Sequence, residues 1–279
     1  MPEDAVAGGA GRARVVSVHS ITKLTGEHAG QVVIAGSHGG VYAGFCAAEG
    51  RVRAVIFNDA GVGRDRAGIG SLTYLDGLGI AGATVDGQSC RIGDGDDMRE
   101  CGIVSFVNAA AALGCVAGQR ARDCADLMRD APRPMKAVPA RAESRYVADG
   151  ASGGPLVIVV DSVSLVQASD AGALVVTASH GGLLGGDPAS ALKVDALAAV
   201  YCDAGFGKDR AGVTRLPALD ARGIAAATVS SESARIGDGR SVYEDGIVSC
   251  VNETAFSLGI TIGDTVQALV RNILGSTRR

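Results

Sequence analysis

Aromatic residues make up only 4% of the chain, and the five tyrosines and four histidines are scattered through it. No stacking platform for bases can be assembled from them, and a net charge of −4 supplies no basic stripe. Nucleic acid is therefore not expected as a partner. No segment stays apolar for the roughly 18 residues that a membrane span needs. Acidic residues stand near the N-terminus where a secretory signal would carry a basic run and an apolar core. The expectation is a soluble, unexported protein away from membranes. The seven cysteines include no Cys-x-x-Cys pair, and an odd number cannot all pair within one chain. They read as reduced thiols, which points to the cytoplasm.

Nucleotide-binding fingerprints are missing as well. Gly61-Val62-Gly63 and Gly205-Phe206-Gly207 lack the third glycine and the downstream acid of a dinucleotide loop, and no Gly-Lys-Ser/Thr loop occurs. No cofactor is implied.

What the chain does have is small apolar residues and glycine: 47% hydrophobic, with 41 glycines. Ala, Val, Ile and Leu packed closely through glycine favour a parallel sheet covered by helices. A length of 279 residues also exceeds the usual single core. Sliding the chain on itself by 142 residues matches 15–40 with 157–182, and at 144 residues 58–85 matches 202–229 and 89–111 matches 233–255. Matches in one order at near-constant offset mark a tandem domain duplication rather than a solenoid. The expected organisation is a first α/β repeat at 13–130, an exposed linker at 131–154 rich in proline and small polar residues, and a second repeat at 155–279.

Within each repeat the expected unit is three-layered and mostly parallel, with Rossmann-like or caspase-like topology, the two units forming a pseudo-twofold pair. Val-, Ile- and Ala-rich runs predict strands at 14–18, 31–36, 53–58 and 80–85, then 156–160, 173–178, 196–202 and 224–229. Each repeat reads as strand, loop, strand, helix, strand, helix, strand, helix. Leu72 and Leu75, matched by Leu216 and Leu219, mark one buried helical stripe. Asp65 and Asp209 read as helix N-caps, and Asp97 to Glu100 with Ser241 to Glu244 as capping boxes.

The duplication also sorts the polar residues, because a position kept in both copies is either structural or part of a site made twice. The shared motifs follow strand ends, where ligands bind in open parallel sheets. They are Ser37-His38-Gly39-Gly40 with Ser179-His180-Gly181-Gly182, Asp59 with Asp203, and Ser89, Arg91 and Asp94 with Ser233, Arg235 and Asp238. Asn108 and Asn252, each three residues after a serine on an expected helical face, suggest a buried hydrogen bond or a ligand contact.

This pattern suits a hydrolase for a small polar or anionic carbonyl compound. His180 would be the general acid/base, Asp203 would orient it or hold a metal, the Gly181-Gly182 amides would stabilise an oxyanion, and Arg235 would bind a substrate carboxylate. His38, Asp59, the Gly39-Gly40 amides and Arg91 would repeat those roles. A His with one or two Asp also admits a divalent metal, although no compact ligand spacing supports one.

The order of His180-Gly181 and then Cys202 at the ends of neighbouring strands resembles the caspase-like cysteine hydrolases. That resemblance implies Cys202 as nucleophile and His180 as its base. It covers only these residues, and the first repeat carries Asn58 in place of the cysteine. A third reading is a non-catalytic protein that binds a small ligand. A homo-oligomer stays open under all three.

Overall fold

The computed structural model describes residues 12–149 and 154–276. The N-terminal segment and part of the expected linker fall outside the described residues. Two mostly parallel sheets, each flanked by helices, make up the α/β fold.

The first sheet runs in sequence order β1 (Val15–Val18), β2 (Val32–His38), β3 (Ala54–Asn58), β4 (Ala81–Val85) and β5 (Val104–Val107). Strands β1 to β4 are parallel and β5 is antiparallel to β4. Alternate residues of β2 feed opposite layers. Val32 and Ile34 pack with Met98 of α3 (Gly95–Cys101) and with Cys124 and Met128 of α4 (Ala121–Met128). Val33 and Ala35 pack with Ala47 of α1 (Val41–Glu49) and Leu75 of α2 (Ser71–Leu78). Burial on both faces is the reason these strands show no polar alternation.

The second sheet, of six strands, adds an edge. Its hydrogen-bonded order starts with β11 (Val248–Val251), β10 (Ala225–Val229) and β9 (Ala198–Cys202), and continues with β8 (Leu174–His180), β7 (Val157–Val160) and β6 (Arg145–Asp149). The two outer strands, β11 and β6, are antiparallel to their neighbours. On one face lie Val242 of α6 (Gly239–Asp245), Ala255 of α7 (Glu253–Ser257) and Leu269 of α8 (Val266–Ser276). The other face is covered by Leu216 and Leu219 of α5 (Arg215–Asp220) and by the loop residues Ala191 and Leu192.

Several expectations need correction. Residues 145–149 form the edge strand β6, held by pairing with β7 and by Arg145 gripping Asp170 at 2.7 and 3.1 Å. The expected linker is thus partly structural. Ser105 and Ser249 lie on strands β5 and β11, not on helices. No helix follows β8: Gly185 and Gly186 take positive φ and Asp187-Pro188 starts a single 3-10 turn where the first half builds α1. Helices α3 and α6 start earlier than expected, capped by the Asp94 and Asp238 carboxylates, so the two capping boxes do not form. Glu100 instead lies by Arg99 and Arg122, and Glu244 by Arg240.

Among the described residues no helix is long and apolar enough to cross a membrane.

The sheets meet through the loops at the carboxyl ends of their strands. Gly61 and Gly205 cross there: a Cβ built on either would lie 3.1 Å from the other's Cα. Arg64 N donates to Ser231 O and Lys208 N to Gly87 O, both at 2.8 Å. Ala60, Ile92, Ala204 and Ile236 close a small apolar cluster between the halves.

Candidate functional site

His38 and His180 end strands β2 and β8. Each ring is set by its own loop: Nδ1 of His38 accepts from Gly40 N at 3.1 Å, and Nδ1 of His180 from Gly182 N at 3.2 Å. An amide hydrogen aimed at Nδ1 leaves the proton of the neutral ring on Nε2. The glycines between are set by packing, since a Cβ on Gly39 would meet Gly68 O at 2.6 Å and one on Gly181 would meet Gly212 O at 2.5 Å. The preceding hydroxyls are structural staples. Ser37 Oγ accepts from Ile21 N and Ser179 Oγ from Val163 N, both at 2.9 Å.

Both histidines line one cleft of about 720 Å³ between the halves. Each is covered by the opposite half's Arg-Ile-Gly-Asp loop. A Cβ on Gly237 would lie 3.2 Å from His38 Cε1, and one on Gly93 would lie 3.4 Å from His180 Cε1. Burial pushes the His38 pKa down to about 4. Burial, then the charge of Arg215, holds His180 well below its ordinary value. Both rings are therefore neutral over the physiological range, with Nε2–H as the group each can offer. With Nδ1 engaged by its loop amide, each neutral ring has a proton to donate at Nε2 rather than a free lone pair.

The other repeated residues are drawn into the architecture. Asp59 Oδ1 accepts from Gly61 N and Gly87 N at 3.0 Å, and Asp203 Oδ1 from Gly205 N at 2.9 Å and Ser231 N at 3.0 Å. Those carboxylates tie down the crossing loops and do not orient the histidines. Arg91 pairs with Asp97 and Asp209, and Arg235 with Asp238 and Asp65, so each arginine bridges the halves. Asp65 and Asp209 stand at positive φ as partners in those bridges and cap nothing. Ser89 and Ser233 brace their loops by accepting from Ile103 N and Ile247 N. Asn108 and Asn252 plug the sheet: their Oδ1 atoms accept from Gly82 N and Ala226 N, and their Nδ2 atoms donate to Ile80 O and Ile224 O.

Cys202 is 0% exposed in the core. Burial, then the neighbouring Asp203, pushes its thiol up to about 12. Although it pairs in register with His180 across β8 and β9, its burial in the core disfavours the thiolate that the caspase-like role requires. Cys202→Ala should cost about 1 kcal/mol, as for other one-group deletions in cores, and leave the cleft intact. Mass spectrometry after iodoacetamide treatment of the native protein should find exposed Cys101 alkylated and Cys202 untouched.

Two residues of the cleft lie outside the paired motifs. Glu143, placed by the segment leading into β6, lines the cleft half-buried, and burial, then Asp161, raises its carboxyl to about 7. Arg215, at the start of α5, is 1% exposed and also borders the cleft. Only the mismatch of Arg215 with Ser71 between the aligned copies hinted at it. Among the described residues no group of three or more His, Cys, Asp or Glu gathers as a metal-ligand set.

Comparison of the chain with protein-family models, curated proteins and solved structures finds no match, so the residues of the cleft carry the functional reading alone.

Proposed function

We propose that the chain is a hydrolase of small polar carbonyl compounds, built by tandem duplication into a pseudo-twofold pair whose halves share one cleft. The observation that carries this reading is the pair of neutral histidines, each with Nδ1 occupied by a loop amide, in one cleft between the sheets. Two preorganised Nε2–H donors polarise a carbonyl and stabilise the oxyanion formed when it is attacked. Glu143 supplies the base, since a carboxyl near 7 is substantially ionised at neutral pH. It takes a proton from water as the new C–O bond forms. The tetrahedral oxyanion rests on the two imidazoles, and the proton passes to the leaving group as the old bond breaks.

The duplication is supported by contacts that recur in pairs. Arg64 with Asp245 and Lys208 with Asp97 both lie at 3.1 Å, matching the Arg91 and Arg235 bridges. The seven unpaired thiols fit the reducing interior of a cell, and we infer a cytoplasmic location from them.

The reading is tested by screening the purified protein on a panel of small amides, imides and esters, beside His38→Gln, His180→Gln and Glu143→Gln. Turnover by the wild type that all three folded variants lose is the expected result. A panel left untouched by the wild type, or variants as fast as the wild type, overturns it.

A further inference from the structure

Arg215 carries a buried charge held by main-chain carbonyls. Its Nε donates to Gly182 O at 2.9 Å and its Nη1 to the carbonyls of Ser190 and Ala191, while the guanidinium lies 5.3 Å from the Tyr201 ring centre. Among the described residues no carboxylate pairs with it. Arg145 shows the usual solution, gripping Asp170 with both ends of its fork. Taking an unpaired guanidinium out of water costs several kcal/mol, and carbonyl dipoles offset only part of that.

Nor does the local backbone demand an arginine. The matching residue of the first half, Ser71, makes the same main-chain bond: Ser71 N donates to Gly39 O and Arg215 N to Gly181 O, both at 2.8 Å. In the first half α1 packs over this position, with a Cβ on Gly44 placed 2.9 Å from Ser71 Cβ. The second half has no such helix. Its chain turns away through Gly185, Gly186 and Pro188, and the arginine occupies the space and borders the cleft beside His180. Lys23 and Lys193 also line the cleft, but Arg215 is its buried cation, placed beside His180 in the second half alone.

We propose that Arg215 holds an anionic group of the ligand, a carboxylate or a phosphate, so that the ligand enters the cleft in a single orientation. The proposal rests on the reading of the cleft as a ligand site and adds what that ligand must carry. Nη2 donates to none of these carbonyls and keeps two protons for either anion, and the low-dielectric surroundings strengthen the attraction. Charge at this point also contributes to keeping His180 neutral. A bound anion offsets that charge, so the His180 ring reports its arrival.

Malonate and inorganic phosphate serve as probes, each titrated at pH 7 and constant ionic strength, with sodium chloride as the control. Thermal shift and the ring resonances of the two histidines are read together. The wild type should gain several degrees in Tm at millimolar probe, and the His180 signals should move more than those of His38. The anion that acts identifies the carboxylate or the phosphate as the recognised group. Arg215→Met should weaken the apparent affinity at least tenfold, and Arg215→Lys, which keeps the charge but cannot hold the carbonyls and present Nη2 at once, should fall between. If Arg215→Met does not fold, the weakening in Arg215→Lys carries the test.

Chloride matching the probes, no probe response in the wild type, or Arg215→Lys binding as well as the wild type overturns the proposal. The double variant His38→Gln/His180→Gln separates it from the hydrolase reading. Probe binding kept there shows that the anion site stands without the histidines, and probe binding by a wild type that hydrolyses nothing in the panel leaves the anion site standing while the hydrolase reading falls.

Discussion

Gly61→Ala and Gly205→Ala should each destabilise the protein by about 2–4 kcal/mol, lowering Tm by roughly 5–15 °C for a chain of this size. Both residues sit at positive φ, +71° and +69°, where an L side chain costs about 1–2 kcal/mol. The remainder comes from the crossing itself, because the new methyl would press on the opposite glycine's Cα at 3.1 Å and force the halves apart. Gly172→Ala is the control, with φ of +75° and no atom within 4 Å of its Cβ. It should lose only the conformational part. Calorimetry on the three variants separates the terms, and equal losses in all three would remove the crossing from the account. Spreading the crossing also moves Gly93 and Gly237 away from the histidines they cover, so the two interface variants should lose more turnover than Gly172→Ala.

Replacing either histidine by glutamine should lower turnover by about 10²–10³-fold, the usual effect of removing one oxyanion donor. The double variant should fall less than the product of the two if, as proposed, both donors serve one oxygen. With His38 neutral down to about pH 4 and His180 held well below its ordinary value, the histidines give the rate no limb near neutral pH. Activity should instead rise with pH through about 7 as Glu143 ionises, and Glu143→Gln should abolish that limb.

Stability carries its own pH signature. The folded pKa of His38 lies below the unfolded value of about 6.5. Below pH 6.5 the unfolded chain therefore takes up a proton that the folded state refuses, and stability falls as pH drops from 6.5 towards 4. After allowance for its partial exposure this amounts to about 2 kcal/mol. Glu143 works in the opposite sense. Its raised carboxyl favours the fold at low pH, and that contribution is lost between about 4.5 and 7. The histidine contribution is therefore read as a difference: denaturant unfolding of the wild type and His38→Gln should diverge between pH 6.5 and 4. Parallel curves would mean that His38 titrates normally.

The sequence by itself determined the strands β1 to β4 and β7 to β10, each within two residues of its structural limits. A strand buried on both faces must be apolar throughout, and that is visible without coordinates. It also singled out His38 and His180 and the paired motifs around them. The short antiparallel strands β5 and β11 escaped because Ser105 and Ser249, three residues before an asparagine, read equally well as one face of a helix.

Tertiary structure alone decided what the paired motifs do. Arg91 and Arg235 found acceptors on the opposite half, Asp59 and Asp203 found amides of the crossing loops, and the histidines were left facing the cleft. A charged side chain is spoken for when a partner distant in the chain comes within hydrogen-bond reach. Local periodicity is blind to that distance. Arg215 and Glu143 entered the cleft for the same reason: one fills the space of a helix the second half lacks, and the other is delivered by a segment whose edge strand only pairing with β7 holds in place.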